Sequence, residues 1–158
     1  MTRELARSRT DHLTAAEAAR MTKCLPYFLR RRLRDEEVPK MIADLDALRR
    51  PAGSDWLAGR IGSLMAHYFV PGMDRRIGQA MAVDWMNELD GLPAWSIEAA
   101  CIWWLGSTNP DIRRKPLPGE ISKRARDAMG ILRVGDTVLD RHAKGLPPML
   151  NDKGQINV

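Results

Sequence analysis

Between Asp74 and Met129 the apolar residues return every three or four positions, in three runs broken by glycine and proline. Ile77, Met81, Trp85 and Leu89 form the first stripe, and Ile97, Cys101, Trp104 and Leu105 the second. Ile121, Ala125, Ala128 or Met129, and Leu132 form the third. Residues so spaced share one face of a helix, whereas a half-buried strand needs strict alternation. The rest of the chain shows no alternating run and no internal repeat. The expected fold class is therefore all-α: a single compact bundle of six or seven short helices with flexible termini. A chain of 158 residues can build one real core and is too short for two comfortable domains.

Helix boundaries follow from local chemistry. Thr14 and Glu17 spell a capping box, with Leu13 placed as a hydrophobic staple, so a helix is expected to start at Ala15. Pro26 lacks a backbone donor and should kink or end it. Glu36 and Glu37 bring negative charge to a second helix start, and Pro39 suits its first turn. Val38, Met41 or Ile42, Leu45 and Leu48 then follow at helical spacing to Arg49 and Arg50. After the Pro51-Ala52-Gly53 break, Ser54 is the expected cap of a third helix carrying Leu57, Ile61, Leu64 or Met65, and Tyr68. Asp74 caps the next, and Gly91 is a natural left-handed stop. Pro93 and Pro118 occupy first-turn positions, with Gly106 and Asn109-Pro110 marking the break between them. The last phase continues through Gly135, Leu139 and His142, so the final helix either runs past Gly130 or restarts near Asp136. The expected organisation is a mobile basic arm at 1–12, a helical domain at 13–144 with its core at 54–133, and a disordered tail at 145–158.

The net charge of +5 is unevenly spread. Residues 1–34 hold nine Lys/Arg against three Asp/Glu, and residues 112–158 hold ten against five. Residues 51–111, by contrast, hold three against seven. Basic ends around an acidic middle favour a polyanionic partner such as nucleic acid. Cys24 and Cys101 have no metal-type spacing, lie within helical patterns, and read as a reduced, buried pair. No apolar signal segment and no run of membrane-spanning length appears, so the expected location is the cytoplasm and no membrane partner is expected.

Catalytic machinery is not expected. His12, His67 and His142 pair with no cysteine or carboxylate at ligand spacing, and His67 reads as a partly buried structural residue. Gly59-Arg60-Ile61-Gly62 lacks the lysine and hydroxyl of a phosphate loop. Asp84, Glu88 and Asp90 read as a solvated helix face, so no metal and no cofactor is expected. Among the tryptophans, Trp85 and Trp104 lie in phase with the apolar stripes and belong to the core. Trp56, Trp95 and Trp103 fall at the edge, where an indole covers a helix end or anchors a partner.

Two basic clusters are the candidate binding residues. Arg30, Arg31 and Arg32, read as helical, point in successive directions about 100° apart and cannot line one face. Arg113, Arg114 and Lys115 instead feed a helix whose outer positions carry Lys123, Arg124 and Arg126. That helix adds the positive end of its dipole, making this the better phosphate site. No aromatic residue interleaves with these cations in the sequence, which argues against a base-stacking groove. The 106–118 connection is too long for a helix-turn-helix.

The central segment carries Trp85, Leu92-Pro93-Ala94-Trp95, Ala99-Ala100, Trp103-Trp104, Lys115-Pro116-Leu117-Pro118 and Glu120-Ile121. Over residues 64–129 this pattern resembles small all-helical replication-accessory proteins of phages and prophages, of the helicase-loader and replisome-organiser type. The resemblance implies a non-enzymatic module that binds a replicative helicase, DNA, or both. With no ATP-binding loop, the chain would not be an ATP-driven loader. Two other readings stay open: a DNA-binding transcriptional regulator, and a helical protein-interaction module without nucleic-acid contact.

Overall fold

The computed structural model describes residues 12–68, 72 and 74–157. The arm expected at 1–12 therefore lies outside the described residues, His12 excepted. Seven α-helices follow one another: α1 (Ala15–Thr22), α2 (Val38–Arg49), α3 (Ser54–Met65), α4 (Arg75–Leu89), α5 (Ala94–Trp104), α6 (Pro118–Ala128) and α7 (Leu132–Ala143). Short 3-10 turns occupy Leu25–Leu29, Asp35–Glu37 and Met129–Ile131. Among the described residues there is no strand, only isolated bridges pairing Pro51 with Pro93 and Leu150 with Ile156. The protein is all-α.

Several ends form as their residues dictate. At α1 the Thr14 hydroxyl accepts from the Glu17 N–H at 3.2 Å, and the Glu17 carboxylate accepts from the Thr14 N–H at 2.8 Å. Asp74 caps α4 by accepting the Arg76 N–H at 2.9 Å. Gly91 turns the chain at φ 75°, a conformation that favours glycine. Pro118 opens α6.

Other boundaries differ from the sequence expectation. Pro26 neither kinks nor ends α1, which stops at Thr22; the proline sits in the first turn of the 3-10 segment that follows. The cap of α3 is Gly53, and Ser54 is already helical. At the far end the helical course does run on past Gly130, and there is no restart near Asp136. A 3-10 turn at 129–131 joins α6 to α7, which begins at Leu132 and passes through Gly135. Gly135 is buried, and a side chain there would meet Leu45 Cδ2 at 2.7 Å, so α2 and α7 approach closely at this point. Residues 145–157, expected as a tail, return to the body: the Leu150 N–H donates to the Leu29 carbonyl at 2.7 Å. Arg141 Nε also donates to the Pro147 carbonyl at 2.8 Å.

The interior consists of two apolar clusters that meet at α5. One joins Leu57, Ile61 and Leu64 of α3, Trp85 and Leu89 of α4, Ile97, Ala100, Cys101 and Trp104 of α5, and Ile121 and Ala125 of α6. The other joins Ala18, Leu25, Leu33, Met41, Leu45 and Leu48 to Leu132 and Val138, and receives Trp95 from α5. The interior therefore extends beyond 54–133 at both ends. A helix serving two clusters must be apolar on opposite sides, and α5 buries Ala94, Trp95, Ser96, Ile97, Ala100, Cys101 and Trp104. Trp95 is thus core, not an edge residue: its Nε1 donates to the Leu48 carbonyl at 2.6 Å. Ile77, placed in the α4 stripe by phase, is exposed because that stripe begins beyond the cover of its neighbours.

Candidate nucleic-acid interface

The loop between α5 and α6 is held by a relay of polar contacts. Asn109 is buried, and its Nδ2 donates to the Trp104 carbonyl at 2.8 Å, covering one of the open carbonyls at the end of α5. Asn109 Oδ1 accepts from the Asp111 N–H at 3.0 Å, a local turn that fixes the next step of the loop. Tyr68 reaches across from the end of α3, its hydroxyl donating to the Ile112 carbonyl at 3.0 Å. Arg114 then binds Glu120 through two guanidinium nitrogens, at 2.8 and 2.5 Å, and Asp111 at 3.3 Å. Glu120 also accepts the Leu117 N–H at 2.9 Å, closing the first turn of α6. The hydrogen bonds that Arg114 donates to Glu120 and then to Asp111 raise its pKa above the ordinary value. The Arg114 guanidinium likewise holds the Glu120 carboxyl below the usual range.

The six cations expected at this face therefore divide. Arg114 is a strut, and its guanidinium also lies 5.2 Å from the Trp104 ring. Lys123 pairs with Asp127 at 3.0 Å, and Arg126 Nε donates to the Ser122 hydroxyl at 3.2 Å. Arg124 stacks over the Trp103 ring at 3.9 Å. Arg113 and Lys115 carry no ion pair or side-chain hydrogen bond among the described residues, and Arg113 is exposed. The face keeps an excess of positive charge, with Arg113, Lys115, Arg124 and Arg126 not neutralised by carboxylates among the described residues.

The second expected cluster is not on a helix. Arg30, Arg31 and Arg32 follow the 3-10 turn; Arg31 is half-buried, while Arg30 and Arg32 are exposed. Arg31 binds Glu37 at 2.6 Å and rests 4.7 Å from the Phe28 ring centroid. Arg32 donates to the Gly145 carbonyl at 2.8 Å. The Arg30 guanidinium lies beside Gly154. Glu37, bonded first by Arg31 and then by Arg34, has its pKa lowered from 4.5 to about 2. Of the three, Arg32 ties the residues after α7 to the α1–α2 connection, and Arg31 braces that connection internally.

Sequence reading missed Asn109, Tyr68 and Trp103 as parts of this face. An Asn-Pro pair signals a turn, but only the fold carries the Asn109 amide back to Trp104. Trp103 is half-buried and meets Trp104 edge-on at 6.3 Å between ring centroids. The Trp104 indole N–H is buried with no acceptor among the described residues. Interleaving of aromatic rings with cations, absent from the linear order, thus arises when α6 packs on α5.

Elsewhere the chemistry is sparse. His67 is exposed, not partly buried, because it follows the end of α3. Cys24 is exposed while Cys101 is buried, and burial pushes the Cys101 thiol up to about 11. The pair expected to be buried together is thus split between surface and core. Among the described residues no group of three or more His, Cys, Asp or Glu is placed to hold a metal ion. Among them, too, no helix is long and apolar enough to cross a membrane. Comparison with protein-family models, curated proteins and solved structures finds no match to this chain.

Proposed function

We propose that the chain is a non-enzymatic replication-accessory protein of phage or prophage origin, binding DNA and a replicative helicase. The observation that carries the DNA part is the braced loop between α5 and α6. Asn109, Tyr68, Arg114 and Glu120 hold its backbone, while Arg113 and Lys115 have no anionic partner among the described residues. Cations on a prearranged backbone lose little freedom when they meet phosphate, and each contact releases counterions. The helicase part rests on the sequence resemblance.

Binding to a labelled DNA across a salt series tests the DNA part. The logarithm of the affinity is expected to fall linearly with the logarithm of salt, by about 0.7–0.9 per phosphate contacted. Affinity that does not respond to salt, or to charge reversal at Arg113 and Lys115, overturns this assignment. Retention of a replicative helicase by the immobilised chain tests the other part, and no retention overturns it.

A second reading, an interaction module without nucleic-acid contact, is favoured by the groove between α3 and α4. Ala58, Gly62, Gly78 and Ala82 leave it open, and Met65, Met81 and Met86 line it, enclosing about 250 Å³. Methionine adapts its shape to apolar partners. Absence of DNA binding at low salt would select this reading.

A further inference from the structure

Next to the braced loop, α5 and α6 leave a shallow cleft of about 460 Å³, within the roughly 300–1,000 Å³ range of small-ligand sites. Its floor is small and apolar, from Ala99, Ala100 and Ala128; Trp103 and Arg124 supply flat groups, and Asp127 supplies a carboxylate. Alanines at these positions leave room where larger side chains would fill the space between two helices. A chain of contacts links the cleft to the loop: Arg124 stacks on Trp103, Trp103 meets Trp104 edge-on, and Arg114 of the loop lies on Trp104. A slot lined by a ring and a guanidinium, beside a helix preceded by further cations, has the two qualities that a single strand needs, a surface for a base and charge for its phosphates.

We propose that this cleft receives one unpaired base of single-stranded nucleic acid, stacked on the Trp103–Arg124 pair, with Arg113 and Lys115 just before the start of α6 taking phosphates farther along the same strand. The proposal rests on the DNA-binding reading above and adds the form of nucleic acid bound. A base within a duplex is already stacked on both faces and paired along its edge, so it cannot enter without being flipped out. A single strand presents bases that are free to stack. Asp127 gives the cleft a preference as well. A carboxylate at its rim repels phosphate but accepts a hydrogen bond from an exocyclic amine, which cytosine has and thymine lacks. Asp127 is exposed and bound only to Lys123, so it can turn to a base without leaving a buried charge. An acidic protein surface would use the same cations but would gain nothing from the Trp103 face or the Asp127 carboxylate.

The test is fluorescence anisotropy with labelled oligo-dC, oligo-dT and a duplex of equal length, using the full chain. The expected order is oligo-dC, then oligo-dT, then duplex. Trp103→Ala is expected to weaken oligo-dC by roughly tenfold or more while leaving the duplex affinity unchanged. Trp103→Phe, which keeps an aromatic face, should restore most of the loss. Asp127→Asn lies on the surface and should narrow the gap between oligo-dC and oligo-dT with no change in melting temperature. Equal affinity for all three nucleic acids, together with indifference to Trp103→Ala and Asp127→Asn, overturns the base cleft but leaves the phosphate-binding loop standing. Failure to bind any of the three at low salt overturns both.

Discussion

The two basic clusters look alike as strings of letters, yet the molecule uses them differently. Arg31 and Arg32 are spent on the protein itself, on Glu37 and Phe28 and on the Gly145 carbonyl, while Arg30 lies exposed beside Gly154 with no ion pair or side-chain hydrogen bond among the described residues. In the 113–115 cluster only Arg114 is spent, and its pairing with Glu120 and Asp111 steadies the loop that carries Arg113 and Lys115. The tryptophans nearby divide the same way. Trp95, in the cluster shared with the arginine-tied end, has its N–H satisfied by Leu48, whereas the Trp104 N–H, beside the loop, has no partner among the described residues. A charge run therefore says little about binding until the positions of its counter-charges are known. The end of the bundle with satisfied groups serves cohesion, and the end with unsatisfied ones is the candidate for contact.

The sharpest way to break this contrast is to reverse the charge of each cluster. Arg113→Glu with Lys115→Glu should lower DNA affinity by roughly tenfold or more at moderate salt and leave the urea midpoint where it was. Arg31→Glu should do the converse: it leaves DNA affinity unchanged and lowers the midpoint, because like charges would then face each other at Glu37. If the two variants behave alike, the distinction is lost.

Next in size come the tryptophans. Trp95→Phe leaves the Leu48 carbonyl without its donor and is expected to cost about 1–3 kcal/mol beyond the loss of ring volume. Trp104→Phe deletes a buried donor that already lacks an acceptor, so it should cost less. Denaturant unfolding of the two variants ranks them, and a larger loss at Trp104 would contradict the pairing described for the two ends. Gly135→Ala belongs to the same scale. Its added methyl meets Leu45, and a loss of about 1–3 kcal/mol is expected, partly recovered by pairing it with Leu45→Val.

Smaller still is the effect of acid. Glu37 has a lowered pKa in the folded protein, so its contribution is present above its ordinary pKa of 4.5 and is lost as pH falls toward about 2. Melting temperatures measured across that window should fall less steeply in Glu37→Gln than in the unaltered chain. Equal slopes would show that Arg31 and Arg34 do not hold the carboxylate. The smallest structural perturbation is thiol labelling: Cys24 should react in the folded protein, while Cys101 should react only after unfolding.

Much of the helical order was legible. The period of three to four residues, the Thr14–Glu17 box, the Asp74 cap, Gly91 and Pro118 each act over one turn of chain, so their consequences can be read locally. Phase also placed Ile97, Cys101, Trp104, Ile121 and Ala125 inside. It failed where a helix has two buried sides. Trp95 looked marginal because it is off the Ile97–Cys101–Trp104 stripe, and nothing in the local pattern announces the second cluster that receives it. Ile77 failed in the opposite sense, since a residue in phase is buried only if a neighbouring element extends far enough to cover it.

For the candidate site, the residue types were legible and their roles were not. The cations at 113–115 and 123–126 stand out in the sequence, but their pairing with Asp111, Glu120, Asp127 and Ser122 depends on the path of the loop. By itself the sequence determined that this chain is helical, where most of its helices begin and end, and which residues carry charge. These follow from backbone geometry and from interactions spanning a few residues. Only the tertiary structure decided which charges cancel, which tryptophan N–H finds an acceptor, and that Trp103 comes to lie beneath Arg124. Those outcomes depend on distances of a few ångströms between residues far apart in the chain, and such distances are set by how helices pack.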